Sequence, residues 1–458
     1  MDNGPSASAI LDGGAHCVIA NPPYIVPPTK EARDAYRKRY VSAYGSFGLG
    51  APFTERLWQL VAQRGYVAEI TSNAFMKREY GGPLIEQVIP RLNLQLVIDT
   101  SGAFIPGHGT PTCILAGRGA GCEVPENILA VQSKRGEPTT PGEGECGAVW
   151  SSILQALGYN PPQRRAYGLE GVRIAKALKK SCKALIKRLG AEQFGRFATI
   201  AAVLKAFEAR GYLVRRDEHL WDALRRLEER LPLGSHAFDA DGVPASEDAA
   251  EIRAALDAVA PPYKTAPHDP RSGWAVGDTD WLGDLYQALV ESAGEENALC
   301  QTPWFVRDLL LDLGLGGAVE TFGIDGLRVL DPTCGTGHLL VGAFWRLFRK
   351  HAETMEHTEY GAANHALRSC QGVELNGTTA WLCRVRLFLA WLDATGAGLS
   401  RHVEGEDALW RVRIEQEPVI AVGDALLEGV RKPSPPLGAV IPSHATQVRQ
   451  LGLFAGAA

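Results

Sequence analysis

No stretch of the 458-residue chain is apolar for the roughly 18–20 residues that a membrane span needs, so no membrane association is expected. The opening MDNGPSASAILDGG has neither the basic start nor the apolar stretch of a secretory signal, and the expected location is cytoplasmic. Nine cysteines are an odd number, scattered without C-x-x-C or Cys/His ligand spacing. That indicates neither a disulfide framework nor a zinc site, so no metal is expected. No repeat occurs at solenoid periods. No cluster of Asp, Glu and Lys suggests a nuclease, which argues against a combined restriction enzyme. Neither charge dominates: 47 basic residues face 52 acidic ones, a net charge of −5. A global polycation is excluded, but a local basic groove is not. With 45% hydrophobic and 22% charged residues, the composition supports one or two sizeable cores over two to three domain-sized units.

The apolar runs 16–20, 66–71, 94–99 and 112–116 have strand length, and 53–64 has helical periodicity. A turn-rich boundary covers 136–165, the stretch 166–232 reads as helical, and 239–274 reads as a linker or long loop. Alternation returns from 281, with a helix ending at 311, strands at 327–331, 372–375 and 418–422, and helices at 339–349 and 378–392. The tail from 432, with its PSPP, reads as a flexible extension. The expected class is therefore α/β, with one mostly parallel, doubly wound sheet assembled from both ends of the chain. Expected units are a first half at 1–135, a helical and partly basic insert with linker at 136–275, a second half at 276–430, and a tail at 431–458.

The chemistry begins with LRVLDPTCGTGHLL, 327–340, where a buried strand ends in Asp331 and a turn with Gly335 and Gly337 opens a helix. Ligands of such sheets lie at the carboxyl ends of strands. A lone Gly-x-Gly reads equally well as a tight turn. Glu374, ending the next strand, is placed to bind both ribose hydroxyls, and Asp424, ending the one after, to accept from an adenine amino group. Acids at three successive strand ends suit a nucleoside with a cationic amino-acid tail, and S-adenosylmethionine fits. The second segment, HCVIANPPYIVPP at 16–28, runs a short strand into Asn21-Pro22-Pro23-Tyr24. Proline offers a carbonyl but no N–H and holds the preceding backbone extended. The Asn21 oxygen and Pro22 carbonyl then make two acceptors for an exocyclic amine, and Tyr24 offers a face for a base to stack on. The plain alternative is a strand ended by a Pro-Pro turn.

These residues resemble the N6-adenine DNA methyltransferases. Asn21-Pro22-Pro23-Tyr24 is similar to their catalytic motif, and Asp331-Pro332-Thr333-Cys334-Gly335-Thr336-Gly337 to their cofactor motif. Gln301-Thr302-Pro303 resembles the Thr-Pro segment flanking the cofactor's methionine end. The closest resemblance is to the large methyltransferases of phage growth limitation (BREX) defence systems, through ANPPYI, YGSFGLGAPFTERLWQL, GYVAEITSNAFMKREYG, VIDTSGAFIPGHGTPTCIL and WLGDLYQAL. It implies a Rossmann-like methyltransferase sheet that methylates adenine N6 in double-stranded DNA within a phage-defence or modification system, with defence subunits as partners. It implies catalytic roles for Asn21, Pro22, Pro23 and Tyr24. Cofactor contacts are implied for Thr302, Pro303, Asp331, Pro332, Cys334, Gly335, Gly337, Glu374 and Asp424. One departure stands out. The cofactor motif follows Asn-Pro-Pro-Tyr by about 310 residues instead of preceding it. Circular permutation explains this order, with a rearranged or fused gene product as the competing explanation. Amino-methylation of RNA or of protein glutamine, and a non-catalytic DNA-binding remnant, stay open as other readings.

In 172–189, Arg173, Lys176, Lys180, Lys183 and Lys187 recur along one helix face, opposite Ile174, Leu178, Leu185 and Leu189. Such a face is either solvated surface or a phosphate contact. Residues 29–40 place Lys30, Arg37, Lys38 and Arg39 among Tyr36 and Tyr40 after the Pro-Pro turn, either as a DNA-contacting loop or as a surface helix. Cys334 is expected to be a small loop residue, and His108 lies in a turn with no evident partner. The tail's Gln450-Leu451-Gly452-Leu453-Phe454 resembles the short peptide that binds the bacterial sliding clamp.

Overall fold

A computed structural model describes residues 6–105, 109–133, 135–142, 145–160, 170–210, 212, 219–229, 231, 233–234, 244–259, 280–290, 301–354, 358–396 and 417–429. The strands among them are β1 (Ala15–Ala20), β2 (Val61–Ser72), β3 (Asn93–Asp99), β4 (Thr112–Arg118), β5 (Leu129–Gln132), β6 (Val329–Asp331), β7 (Cys370–Glu374) and β8 (Val419–Val422). They form one eight-stranded sheet in the order β5-β3-β4-β2-β1-β6-β7-β8. Segments from both ends of the chain meet where β1 and β6 pair in parallel, Cys17 opposite Val329 and Val18 opposite Leu330. Among the described strands only β4 runs against its neighbours, β2 and β3.

Strand β1 reads AHCVIA without polar alternation because both faces are covered. Cys17 and Ile19 enter one core and Val18 and Ala20 the other. The second core receives the helices Ala7–Asp12, Lys30–Arg39 and Gly50–Leu60. The first receives Trp304–Leu311, His338–Glu353, Glu359–Ser369 and Gly377–Thr395, together with helices from the middle of the chain. The result is a mixed α/β architecture compatible with a methyltransferase fold.

The middle segment is part of this layer. Helix Ala191–Glu208 meets Gly377–Thr395 through Phe207 and Phe388, ring centroids 6.3 Å apart. Just beyond it, Arg210 grips both carboxylate oxygens of Asp393 at 2.7 and 2.6 Å, a two-pronged pair that fixes direction as well as distance. Helix Asp280–Leu289 packs on Glu170–Ser181 and Ala191–Glu208. The approach is close enough to require glycine: a Cβ at Gly171 would lie 2.2 Å from the Trp281 carbonyl oxygen, and one at Gly195 2.6 Å from that of Leu289.

Several expectations need correction. The helix expected over 53–64 is Gly50–Leu60, and Val61 already pairs with Ala15 in the sheet. The expected linker contains the helix Ser246–Val259, which buries Ala249, Ile252 and Leu256 at helical spacing. The basic stretch 172–189 divides into Glu170–Ser181 and Lys183–Leu189, with Cys182 off the helical path at φ −102, ψ 29. Strand β5 and the helix Glu359–Ser369 carry no distinct sequence signal. Residues 260–279, His108 and the tail from 430 lie outside the described residues. No described helix is long and apolar enough to cross a membrane.

Candidate active site

Along the sheet, β6, β7 and β8 step outward in one direction while β1 and β2 step outward in the other, so winding reverses between β1 and β6. Ligands of open α/β sheets sit at that reversal, beyond the carboxyl ends of the strands. The two segments singled out from sequence leave the sheet there: Asn21 follows β1, and Pro332 follows Asp331 at the end of β6.

Pro22 is buried, and Asn21, Pro23 and Tyr24 are half-buried. The Tyr24 hydroxyl lies 2.6 Å from Asn21 Oδ1 and 3.2 Å from the Ile70 carbonyl oxygen, which anchors the ring to β2. Asn21 Nδ2 donates to Thr302 Oγ1 at 3.1 Å across 281 residues of sequence. Thr302 is 4% exposed, and its neighbours are held firmly. The Gln301 amide donates to Gln287 Oε1 at 2.8 Å. The Gln301 carboxamide meets Thr336 Oγ1 with Nε2 at 2.7 Å and Oε1 at 3.1 Å. Arg386, wholly buried, donates to the Thr336 carbonyl at 2.6 Å and hydroxyl at 2.8 Å. Pro303 caps the helix Trp304–Leu311.

In the turn after β6, Gly335 (φ +53) and Gly337 (φ +92) occupy the left-handed region that favours glycine. Asp331 is 1% exposed and accepts from the Thr333 amide at 3.0 Å; burial pushes its carboxyl up to about 7. Glu374 ties this turn to β7, accepting from the Gly335 amide with Oε2 and from the Asn376 amide with Oε1, both at 3.0 Å. Burial raises its carboxyl too, against those donors. Asp424 accepts from the Leu426 amide at 2.9 Å and from the Tyr36 hydroxyl at 2.8 Å. All three acids thus stand at adjacent strand ends. Near them in sequence Leu375 is 68% and Val422 43% exposed.

Cys334 points into the core: its thiol is pushed well up by burial, and its amide is bonded to the Val373 carbonyl. It fits as a small core-facing loop residue, which leaves only its backbone for ligand contact. Residues 30–39 are a helix capped by Thr29, not a loop. Tyr36 and Tyr40 are buried, bonded to Asp424 and to the Leu426 carbonyl, and so do not face a nucleic acid. Arg39 donates to the carbonyls of Leu427, Glu428 and Gly429, which commits its guanidinium to the fold, while the exposed Arg37 donates to the Gly45 carbonyl at 2.7 Å. Lys30 and Lys38 are exposed. Arg173, Lys176, Lys180, Lys183 and Lys187 are also exposed, while Ile174, Leu178 and Leu185 are buried and Leu189 is half-buried, as the helical stripe requires.

Sequence reasoning quoted Gln301 and Thr336 within their motifs but missed that they bond to each other, and it missed Arg386 as their support and Tyr36 as the partner of Asp424. Thr336 lay inside the glycine motif, but no local pattern marks Arg386. Glu69, in β2 opposite Ala20, was missed as well. It is wholly buried, and burial pushes its carboxyl up to about 8. Away from the crevice, Asp325, His351 and His365 approach one another, with Asp325 Oδ1 4.0 Å from His351 Nδ1.

The family model described as "Eco57I restriction-modification methylase" matches residues 5–104. An adenine-specific methyltransferase PglX of Streptomyces coelicolor is 39% identical over 165 residues, covering 34% of this chain and 14% of that protein. The type II methyltransferase M.PaeR7I of Pseudomonas aeruginosa is 33% identical over 101 residues, 22% of this chain and 18% of its own. The chain therefore matches less than a fifth of either relative's length. A cryoEM structure of a DrdV–DNA complex aligns at 15% identity with a TM-score of 0.29, covering 68% of this chain and 32% of that one, too distant to carry an argument. Through residues 5–104, which hold Asn21-Pro22-Pro23-Tyr24, the chain resembles the Eco57I restriction-modification methylases, and its relatives are adenine-specific and type II methyltransferases.

Proposed function

We propose that this chain is an S-adenosylmethionine-dependent methyltransferase acting on adenine N6 in double-stranded DNA, in a modification or phage-defence system. One observation carries the reading: Asn21 and Tyr24 leave β1 beside the glycine turn of β6, where the winding of the sheet reverses. Asp331, Glu374 and Asp424 suit the cofactor's ammonium, ribose and adenine groups, and Leu375 and Val422 offer apolar contact to its base. When bound, the cofactor supplies an electrophilic methyl group on a sulfonium, already a good leaving group. Asn21 and the Pro22 carbonyl accept the two hydrogens of the target amine and turn its lone pair toward that methyl. Tyr24, anchored at Ile70, is the platform for a base that must first leave the duplex. Alignment supplies most of the rate, so no strong general base is required.

The order of the motifs fits a circularly permuted, doubly wound methyltransferase sheet, because β1 and β6 pair directly whichever segment comes first in the chain. The halves would be 1–135 and 276–430, with 136–275 between them. The exposed lysines of the two basic helices, with Lys30 and Lys38, are the proposed phosphate contacts. The deciding experiment follows tritium from labelled S-adenosylmethionine into duplex DNA, RNA or protein, with Asn21→Ala as control. Transfer to adenine N6 in duplex DNA that Asn21→Ala abolishes, with cofactor binding kept, supports the reading. Transfer to RNA or protein alone, or no cofactor binding by calorimetry, overturns it.

A further inference from the structure

The catalytic value of Asn21 depends on which end of its carboxamide faces the acceptor amine. The oxygen accepts and the nitrogen donates, so a half-turn about the last side-chain bond would present two hydrogens to an amine that needs acceptors. Asn21 is half-buried, and within its own loop the Tyr24 hydroxyl donates to its oxygen at 2.6 Å. Its nitrogen instead meets a residue from the distant half of the chain, Thr302 Oγ1 at 3.1 Å, while its oxygen turns toward Tyr24.

We propose that Thr302 is a positioning residue that holds the Asn21 carboxamide with Oδ1 on the Tyr24 side, where the target base stacks. The assignment rests on the methyltransferase reading and deepens it. Thr302 suits the task because it cannot drift. It is 4% exposed, at the mouth of the helix Trp304–Leu311, and Gln301 is clamped by Gln287 and by Thr336. Arg386 in turn holds Thr336 through both its carbonyl and its hydroxyl. A Cβ at Gly283 would lie 2.6 Å from Thr336 Oγ1 and 2.8 Å from Arg386 Nη1, so the helix Asp280–Leu289 closes over the same group. Hydrogen bonds from Arg386 through Thr336 to Gln301, and then the peptide link to Thr302, therefore connect the helix Gly377–Thr395 and the turn after β6 to the Asn21 amide. The nitrogen end of the amide is held by Thr302, and the oxygen, already accepting from the Tyr24 hydroxyl, keeps its second lone pair for an incoming amine.

The test uses the full chain and compares Thr302→Val, which keeps shape but loses the hydroxyl, with Thr302→Ser, which keeps the hydroxyl. Turnover on duplex DNA is measured at saturating S-adenosylmethionine, and cofactor affinity is measured separately by calorimetry. The expected result is a kcat about 10- to 100-fold lower for Thr302→Val, the scale of a misaligned reacting group. Thr302→Ser should stay within about threefold of the parent, and both variants should melt near it. A Thr302→Val kcat within threefold of the parent at saturating cofactor overturns the assignment, as does a loss confined to cofactor affinity. So does failure of Thr302→Ser to rescue turnover. Absence of adenine methylation by the parent chain would instead refute the function itself, and the assignment would fall with it.

Discussion

Asp331→Asn separates what Asp331 costs the fold from what it does for a ligand. The Asp331 carboxyl is 1% exposed and is raised from 3.8 to about 7, mainly by burial. Between roughly pH 4 and pH 7 the unfolded chain releases this proton while the folded chain keeps it, so the fold loses stability as pH rises. The full penalty, about 4 kcal/mol at 1.36 per pH unit, is reached above pH 7. From pH 5.5 to 8.5 the loss is about 2 kcal/mol. Asparagine does not ionise, yet its Oδ1 can still accept from the Thr333 amide that now bonds Asp331. Burying its NH2 costs about 1–3 kcal/mol at either pH, so the informative quantity is the pH dependence and not the absolute stability. Ligand-free parent and variant are melted from pH 5.5 to 8.5. The parent should lose about 2 kcal/mol more than the variant across that range. Binding of a cationic ligand requires the ionised carboxylate, so S-adenosylmethionine should bind the parent about 30-fold more tightly at pH 8.5 than at 5.5, with the rise ending near pH 7. The variant should not bind it. Equal pH dependence of stability in the two proteins would refute the account of Asp331 as a buried acid whose ionisation near pH 7 costs the ligand-free fold stability.

Glu374→Ala should weaken S-adenosylmethionine binding by about 2–3 kcal/mol, the scale of charge-assisted hydrogen bonds, while Tyr24→Ala leaves it intact and impairs DNA methylation. Equal effects of the two on a calorimetric titration would dissolve this division of the site. Replacing Lys180, Lys183 and Lys187 by Glu should flatten the salt dependence of DNA binding by up to about three counterions, read from log K against log salt; an unchanged slope assigns that face to solvent. A fragment of residues 275–430 keeps β6 but loses its partner β1, and should bind apolar dyes and unfold without cooperativity; cooperative folding with full cofactor affinity would show that the two halves are independent. A labelled 445–458 peptide should bind a bacterial sliding clamp no better than micromolar, near −8 kcal/mol, by fluorescence anisotropy, and equal binding with Leu453 and Phe454 changed to Ala would discard that contact.

The two motif-bearing crossings were legible in the sequence because their physics is local. A buried apolar strand, a Pro-Pro stop and a glycine turn at positive φ each write themselves into a few adjacent residues. So does the basic stripe over 172–189, whose spacing alone puts the lysines opposite the buried Leu178 and Leu185. Composition misled where it outvoted spacing. The stretch with Ser246–Val259 looked like a linker, although Ala249, Ile252 and Leu256 already lay at helical intervals. Segment 30–39 proved to be the surface helix of its two readings, but its charges did not reveal their partners. Arg39 proved to bind carbonyls nearly 390 residues away, and Tyr36 to bind Asp424. The tertiary structure decided what no window of sequence contains: the reversed direction of β4, the pairing of β1 with β6, and the approach of Thr302 to Asn21. Element type follows from neighbours along the chain. The geometry of a site depends on which distant strands share an edge, and that is settled only when the two cores close on both faces of the sheet.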